Sequence, residues 1–437
     1  MTEPSSVEQS IGLTTFYTDH QGIGGLLRER PEDFIVTEEP IEFPVDPKGR
    51  FLLVKVTAKN WETNDLIREF AKQLHISKKR ISFAGTKDKR ALTEQILCFY
   101  NISKDQINNI SISDVEYSVL HRTSKRVRIG DLVGNKFTII IRNVSSTIQN
   151  EDIKKLLHPL QSIHGFPNYF GVQRFGGIRP ITHKVGRAMV SADFKQAVMI
   201  YLAETSNFEG NDATIARKEL AGTLDFKQGF HNYPKRLRFE KILMQHLTKN
   251  PEDYAGALKR LPNNLLTLFV YAFQSFLFNR MLSERIKQNL PIDEALIGDI
   301  ILPVTQDGVS LNPIPVSTNN LDKVNQQIQK GKAVVSCVLP GSETEYATGE
   351  MGKIQQQIIK EEQVDIRDFI IPETPAASSY GTHRAIISPL SNLTASLEKD
   401  ELHQQHQKLT LSFSLRKGSY ATSFLREIMK LQDITKY

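Results

Sequence analysis

The nine residues Phe83-Ala84-Gly85-Thr86-Lys87-Asp88-Lys89-Arg90-Ala91 constrain this chain more than any other stretch. β-rich segments flank them, Ile81 to Phe83 before and Gln95 to Tyr100 after, so the stretch reads as a short loop at strand ends. Its carboxylate, Asp88, has Lys87, Lys89 and Arg90 around it. Positive neighbours favour the ionised form of an acid, and they offer contacts to a phosphate backbone. A strand end on a rigid scaffold is a usual place for a catalytic side chain. One acid ringed by bases suits acid chemistry on a polyanion.

The surrounding pattern alternates strands and helices. Phe34 to Thr37 and Phe51 to Val56 read as strands. Leu66, Ile67, Phe70, Ala71 and Leu74 recur at helical spacing, which predicts an amphipathic helix from Asn64 to His75 with Thr63 or Asn64 as cap. Phe137, Ile139 and Ile141 alternate after Gly134-Asn135, a strand expected to follow a turn. Short connections between such strands predict a largely antiparallel or mixed sheet. From about Thr182 to Tyr271 the pattern turns helical; from Ile297 to Val338 it is mixed. Pro372 to Ser379 reads as a connector. Leu409 to Met429 reads as a strand, a Gly-Ser turn and a helix.

Length and charge narrow the class. At 437 residues the chain holds two to three domains. The formal net charge of +6 favours a nucleic-acid partner without requiring one. Lys78-Lys79-Arg80 and the run Arg122, Lys125, Arg126, Arg128 concentrate that charge, although a solvated face would explain either run alone. Cys98 and Cys337, far apart in apolar surroundings, suit a reducing cytoplasm rather than a disulfide framework or a zinc site. The N-terminal residues lack the apolar core of a signal peptide. The longest apolar stretch, Leu265 to Phe278, is short of a bilayer span and reads as a buried helix capped by Asn263 or Asn264. No membrane partner is expected.

Several chemistries lack their motifs. Gly349 to Ile354 has neither the spacing nor the hydroxyl of a phosphate loop, and Leu27 stands where a dinucleotide fingerprint needs its third glycine. The 11 histidines form no HExxH pattern. Glu38 and Glu39, adjacent on a strand, point to opposite faces and read as structural. On the positive side, Pro167 to Gly177 mixes aromatics, an amide, an arginine and glycines: groups that stack on bases, read their edges and pair with phosphate, or alternatively a core strand with a glycine turn. Leu415 to Glu427 reads as a turn into an amphipathic helix, with Arg426 either inward or paired with Glu427.

Taken in order, Pro31 to Val36, the Gly85 to Ala91 loop, Gly134 to Phe137, Asn168 to Gly176 and Lys417 to Glu427 resemble the TruD family of pseudouridine synthases, over most of the chain from about Leu26 to Lys430. The resemblance implies an α+β fold: a split, mixed β-sheet catalytic domain carrying a large α/β insertion (the TRUD domain). It places the catalytic domain at 1–185 and 378–437 and the insertion at 186–377. It implies isomerisation of uridine to pseudouridine in RNA, by default uridine 13 in the D-arm of tRNA, by a monomer with no cofactor or metal. Asp88 is then the essential carboxylate, acting as nucleophile at C1′ or C6 or in proton abstraction from the sugar. Arg426 is the suggested cation beside it. Phe34 matches the family's stacking aromatic for a flipped base, Asn168 and Phe170 match pocket positions, and Lys87, Arg28 and Arg174 would serve phosphates. Arg28 stands where lysine is expected, and Asn60 to Thr63 lacks a glycine often found there. The competing reading is a non-catalytic RNA-binding or RNA-folding factor on the same scaffold; a GTP-dependent factor lacks its phosphate loop.

Overall fold

A computed structural model describes residues 2–305, 308–433 and 436. The chain forms two compact units: one of His20–Phe166 with Ser388–Leu431, the other of residues 2–19 with Pro167–Ile387. The seams therefore fall at 166/167 and 387/388, where the family resemblance suggested 185/186 and 377/378.

The first unit is built on a nine-stranded sheet. Its strands are β1 (Phe34–Pro40), β2 (Phe51–Lys59), β3 (Ile81–Phe83), β4 (Leu92–Tyr100), β5 (Val115–Thr123), β6 (Leu132–Val144) and β7 (Gly165–Pro167). In chain order, β8 (Ile300–Thr305), β9 (Gly308–Val309), β10 (Ile314–Pro315), β11 (Ala333–Leu339) and β12 (Thr382–Ala385) make the five-stranded sheet of the second unit, before β13 (Ile387–Lys399) and β14 (Gln407–Arg416) join the first. The large sheet runs β5-β2-β4-β1-β6-β14-β13-β7, with β3 also on β4. β1 and β4 are parallel, whereas β2 pairs β4, β6 pairs β1 and β14 pairs β6 antiparallel. The sheet is thus mixed, as the short connections predict.

The predicted helix is present at Thr63–Gln73 and buries Leu66, Ile67 and Phe70 against Val54, Val56, Leu97 and Phe99 of the sheet. Its cap is Glu62, whose carboxylate accepts from the Asn64 and Asp65 amides at 2.9 and 3.2 Å, and not Thr63 or Asn64. Gly134-Asn135 lies inside β6 rather than in a turn before it. A Cβ on Gly134 would meet the Leu415 carbonyl oxygen at 2.2 Å, so this glycine serves the close approach of β14.

In the second unit, seven helices from Thr182–Val190 to Asn263–Lys287 fill the stretch whose periodicity is helical. The last runs 25 residues and starts after Pro262 with no side-chain cap, so neither Asn263 nor Asn264 caps it. By length and composition it could cross a membrane, but 67% of its apolar window is buried within the unit, as in a core helix. Cys98 and Cys337 are both free and buried, and burial pushes the Cys337 thiol up to about 12.

Candidate active site

Parallel pairing of β1 with β4 brings Ile35 level with Leu92, so the strands start side by side. Phe34 opens β1, and the loop carrying Asp88 leads into β4. The segment before β1 completes the group. Leu26 bridges Arg142 of β6, its amide donating at 2.8 Å and its carbonyl accepting at 2.9 Å. This bridge needs Gly25: at φ +93°, any Cβ there would strike the Ile141 side chain at 2.5 Å. Arg28 follows in the left-handed region, φ +58°, a conformation that costs a non-glycine residue roughly 1–2 kcal/mol. From there its guanidinium lies 4.0 Å over the Phe34 ring and Nη2 donates to Asp88 Oδ2 at 3.2 Å.

Asp88 is exposed over 58% of its side chain, while Arg28 is exposed over only 14%. Among the described residues no group donates to Asp88 Oδ1, so one carboxylate oxygen is held and the other is open. Phe34 is buried, with Arg28 on its face and Phe137 edge-on at 6.3 Å. Arg142 fixes the entry to β1. It is buried and bonds Asp33, Asp400 and Glu401 at 2.8–2.9 Å. The Asp33 hydrogen bond raises its pKa most, against the effect of burial.

Two sequence expectations change here. Arg426, suggested as the cation for Asp88, is buried in the Ala421–Met429 helix and pairs with buried Glu427 at 3.0 Å; Arg28 takes that place instead. Lys87, expected on phosphate, is buried: its Nζ lies 2.7 Å from Glu38 Oε2, and its backbone N–H donates to Thr63 Oγ1 at 2.7 Å. A lysine next to an exposed loop acid looks solvent-facing in sequence, and only the fold reveals the carboxylate 49 residues away that draws it inward.

The second unit gathers its own set. Asn168 donates to the Ala385 carbonyl at 2.9 Å and accepts from Arg384 Nη2 at 2.7 Å. The Phe170 ring is buried, with the Arg384 guanidinium 4.1 Å from its centroid and that of Arg174 5.5 Å away. Arg174 also donates to Ser275 Oγ at 3.2 Å, so it is partly engaged by the protein. Asn279 holds the Phe170 backbone at both its amide and its carbonyl. Arg384, Glu38 and Thr63 were not singled out as site residues from sequence. Arg384 lies in a strand of ordinary composition, and its only sequence signal is a lone positive charge after the proline connector. Among the described residues no three His, Cys, Asp or Glu side chains form a group that could hold a metal ion.

Comparison with known proteins agrees with this architecture. The family model described as "tRNA pseudouridine synthase D (TruD)" matches residues 10–428. A protein of Methanosarcina barkeri named "Probable tRNA pseudouridine synthase D" is 41% identical over 98% of both chains. One of the same name from Halobacterium salinarum is 34% identical over 98% of this chain and 99% of its own. A TruD crystal structure from Methanosarcina mazei superposes with a TM-score of 0.93 at 38% identity, covering all of both chains. These likenesses set the class: the chain is a pseudouridine synthase, an isomerase-class enzyme, and not a mere binding scaffold. Within that class it belongs to the TruD family.

Proposed function

We propose that the protein converts uridine 13 in the D-arm of tRNA to pseudouridine, with Asp88 as the essential carboxylate. The observation that carries this reading is the state of Asp88: an exposed carboxylate with Oδ2 on Arg28 and Oδ1 open, beside a buried aromatic. The reaction breaks the C1′–N1 bond, turns the freed uracil, and joins C5 to C1′, releasing the C5 hydrogen as a proton while N1 takes one up. An open carboxylate oxygen can attack C1′ or C6, or take a proton from the sugar; on each route Arg28 can stay hydrogen-bonded to the other oxygen. The target base must leave its stack to reach the loop. Stacking of the uracil on Phe34 requires the Arg28 guanidinium to slide along the ring while keeping Asp88.

Phosphate contacts fall to an exposed ridge in the first unit. Arg126 donates to the Lys79 carbonyl at 3.0 Å, Lys417 Nζ to the Gly130 carbonyl at 3.0 Å, and the Gly130 amide to the Ala84 carbonyl at 2.8 Å. These bonds stitch Lys78-Lys79, Lys125 to Arg128 and Arg416-Lys417 to the base of the Asp88 loop. Among the described residues none of these cations, nor Lys89 and Arg90, is ion-paired, although Asp131 lies in the same loop with its carboxylate on the Arg128 amide. Unpaired cations on one surface suit counterion release from a folded RNA. In the second unit Arg174 adds a phosphate contact, while buried Asn168 and Phe170 hold Arg384. The protein acts as a monomer in the cytoplasm, a compartment that agrees with two buried free thiols.

The test is to incubate a tRNA transcript with the protein and map pseudouridine by carbodiimide adduct formation and primer extension. A single new stop immediately 3′ of position 13, lost in a transcript with cytidine at 13, is expected. Product at another position overturns the site assignment and keeps the reaction.

A further inference from the structure

We propose that Lys87, Glu38 and Thr63 form a positioning clamp that sets Asp88 for the reaction. This rests on the role given to Asp88 above. Between Ala84 and Ala91 the loop is exposed or half-exposed at every residue except Lys87. Its ends are tied by backbone: the Ala84 carbonyl accepts from Gly130, and the Ala91 carbonyl from Asn60 at 3.0 Å. Between those ties, among the described residues, the chain is held at Lys87 by the clamp and at the Asp88 side chain by Arg28. The Lys87 amide goes to Thr63, its ammonium to Glu38, and Asp88 is the next residue.

Each clamp member is itself fixed. Glu38 shares a face of β1 with buried Phe34 and Val36, so the pair and the aromatic beneath Arg28 lie on one side of the sheet. The β1–β4 ladder ends at Thr37 opposite Glu94, and just beyond it Glu38 Oε1 accepts the Ile96 amide at 3.2 Å. Thr63 opens its helix but leaves capping to Glu62, which frees its hydroxyl for Lys87. Lys87 and Glu38 side chains are 5% and 2% exposed. A buried ion pair is a weak stabiliser, and well-packed apolar groups of like volume often serve as well or better. What the charges add is uniqueness: a buried ammonium must meet its carboxylate, which fixes the loop in one register. Arg28 then orients the carboxylate that the clamp has placed. Lys87 is thus withdrawn from RNA contact and acts through its neighbour.

The experiment compares native protein with the double variant Lys87→Met/Glu38→Gln, which removes both charges and keeps an acceptor for the Ile96 amide. A second pair is Thr63→Val, which removes the acceptor for the Lys87 amide, and Thr63→Ser, which restores it. Single-turnover conversion at saturating tRNA, tRNA affinity and urea midpoint are measured for each. A displaced catalytic group loses about 10²-fold in rate. The clamp predicts that loss in the double variant and in Thr63→Val, with affinity within several-fold of native and the native rate regained in Thr63→Ser. Native rates at saturation in folded variants overturn it. So does weaker RNA affinity at full rate, which would return Lys87 to phosphate. If the double variant fails to fold, the Thr63 pair decides by the same criteria. If the native chain makes no product, the reaction reading fails separately, and hydrogen exchange at Lys87 and Asp88 still judges the clamp: faster exchange in Thr63→Val supports it, and unchanged exchange refutes it.

Discussion

Replacing Arg28 by methionine tests the geometry around Asp88 most sharply, because the stem over Phe34 is kept and the charge is lost. The ion pair spans 3.2 Å, but Asp88 is 58% exposed, so solvent screening limits it to about 1 kcal/mol of stability at most. The guanidinium 4.0 Å over Phe34 adds about 0.5–2 kcal/mol. Folding should therefore weaken by roughly 1–3 kcal/mol, a loss that a two-unit protein of this size tolerates. The reaction should suffer more. With a base in the pocket water is displaced, and loss of one preorganised donor at a reacting charge costs about 10²–10³ in rate. Single-turnover conversion of tRNA at saturating enzyme should fall by about that factor. Arg28→Lys should fall between, since it keeps charge and loses the planar fork. A rate for Arg28→Met within about threefold of native, well short of the loss expected of such a donor, would refute the reasoning.

Three further outcomes follow from the same structure. Phe34→Ala removes a buried ring and should cost about 3–5 kcal/mol in urea unfolding, with the reaction rate falling more than RNA affinity; an unchanged rate would remove its stacking role. The triple variant Lys79→Glu/Arg126→Glu/Arg128→Glu should weaken tRNA binding and flatten its salt dependence by about 0.7–0.9 log units per lost phosphate contact, with the rate at saturation unchanged; an unaltered slope would place RNA elsewhere. Arg142 governs acid stability. Its hydrogen bond is the main cause that lowers the Glu401 pKa; for Asp400 burial pushes upward but is outweighed by the Asn143 and Leu402 amides and Arg142. Groups with depressed folded pKa values stabilise above their unfolded values, here 4.5 and 3.8, and that stability drains away as pH falls further. Native protein should thus lose stability below about pH 4.5. Arg142→Met should be less stable at neutral pH and show a flatter acid limb in urea midpoints, and an acid limb as steep as native would contradict this.

Much of the sheet was legible because it is local. The β-branched and aromatic run Phe34 to Thr37 and the alternation at Phe137 to Ile141 mark strands whichever partners they take, and the helical spacing from Leu66 to Leu74 needs only its own turn. Caps were less legible: Thr63 and Asn64 are the residue types that cap helices, yet Glu62 caps this one and the Thr63 hydroxyl accepts from the Lys87 amide. Gly134-Asn135 looks like a turn because the reason for its glycine, the Leu415 backbone, arrives from the far end of the chain. The site contacts share this property. Arg28 and Asp88 are 60 residues apart, and Asn168 and Arg384 are 216 apart. Residue types told which groups could act on RNA. Which cation meets which acid was settled by strand pairing that no local pattern encodes, hence Arg28 rather than Arg426 on Asp88 and Glu38 rather than phosphate on Lys87.

The central claim is that Asp88 drives isomerisation of uridine in tRNA. Its most direct test is tritium release from tRNA carrying 5-tritiated uridine, because joining C5 to C1′ must expel the C5 hydrogen. Native protein should release tritium, and Asp88→Asn should release none while keeping its circular dichroism spectrum and binding tRNA within several-fold of native. Release by a folded Asp88→Asn at the native rate would contradict the account.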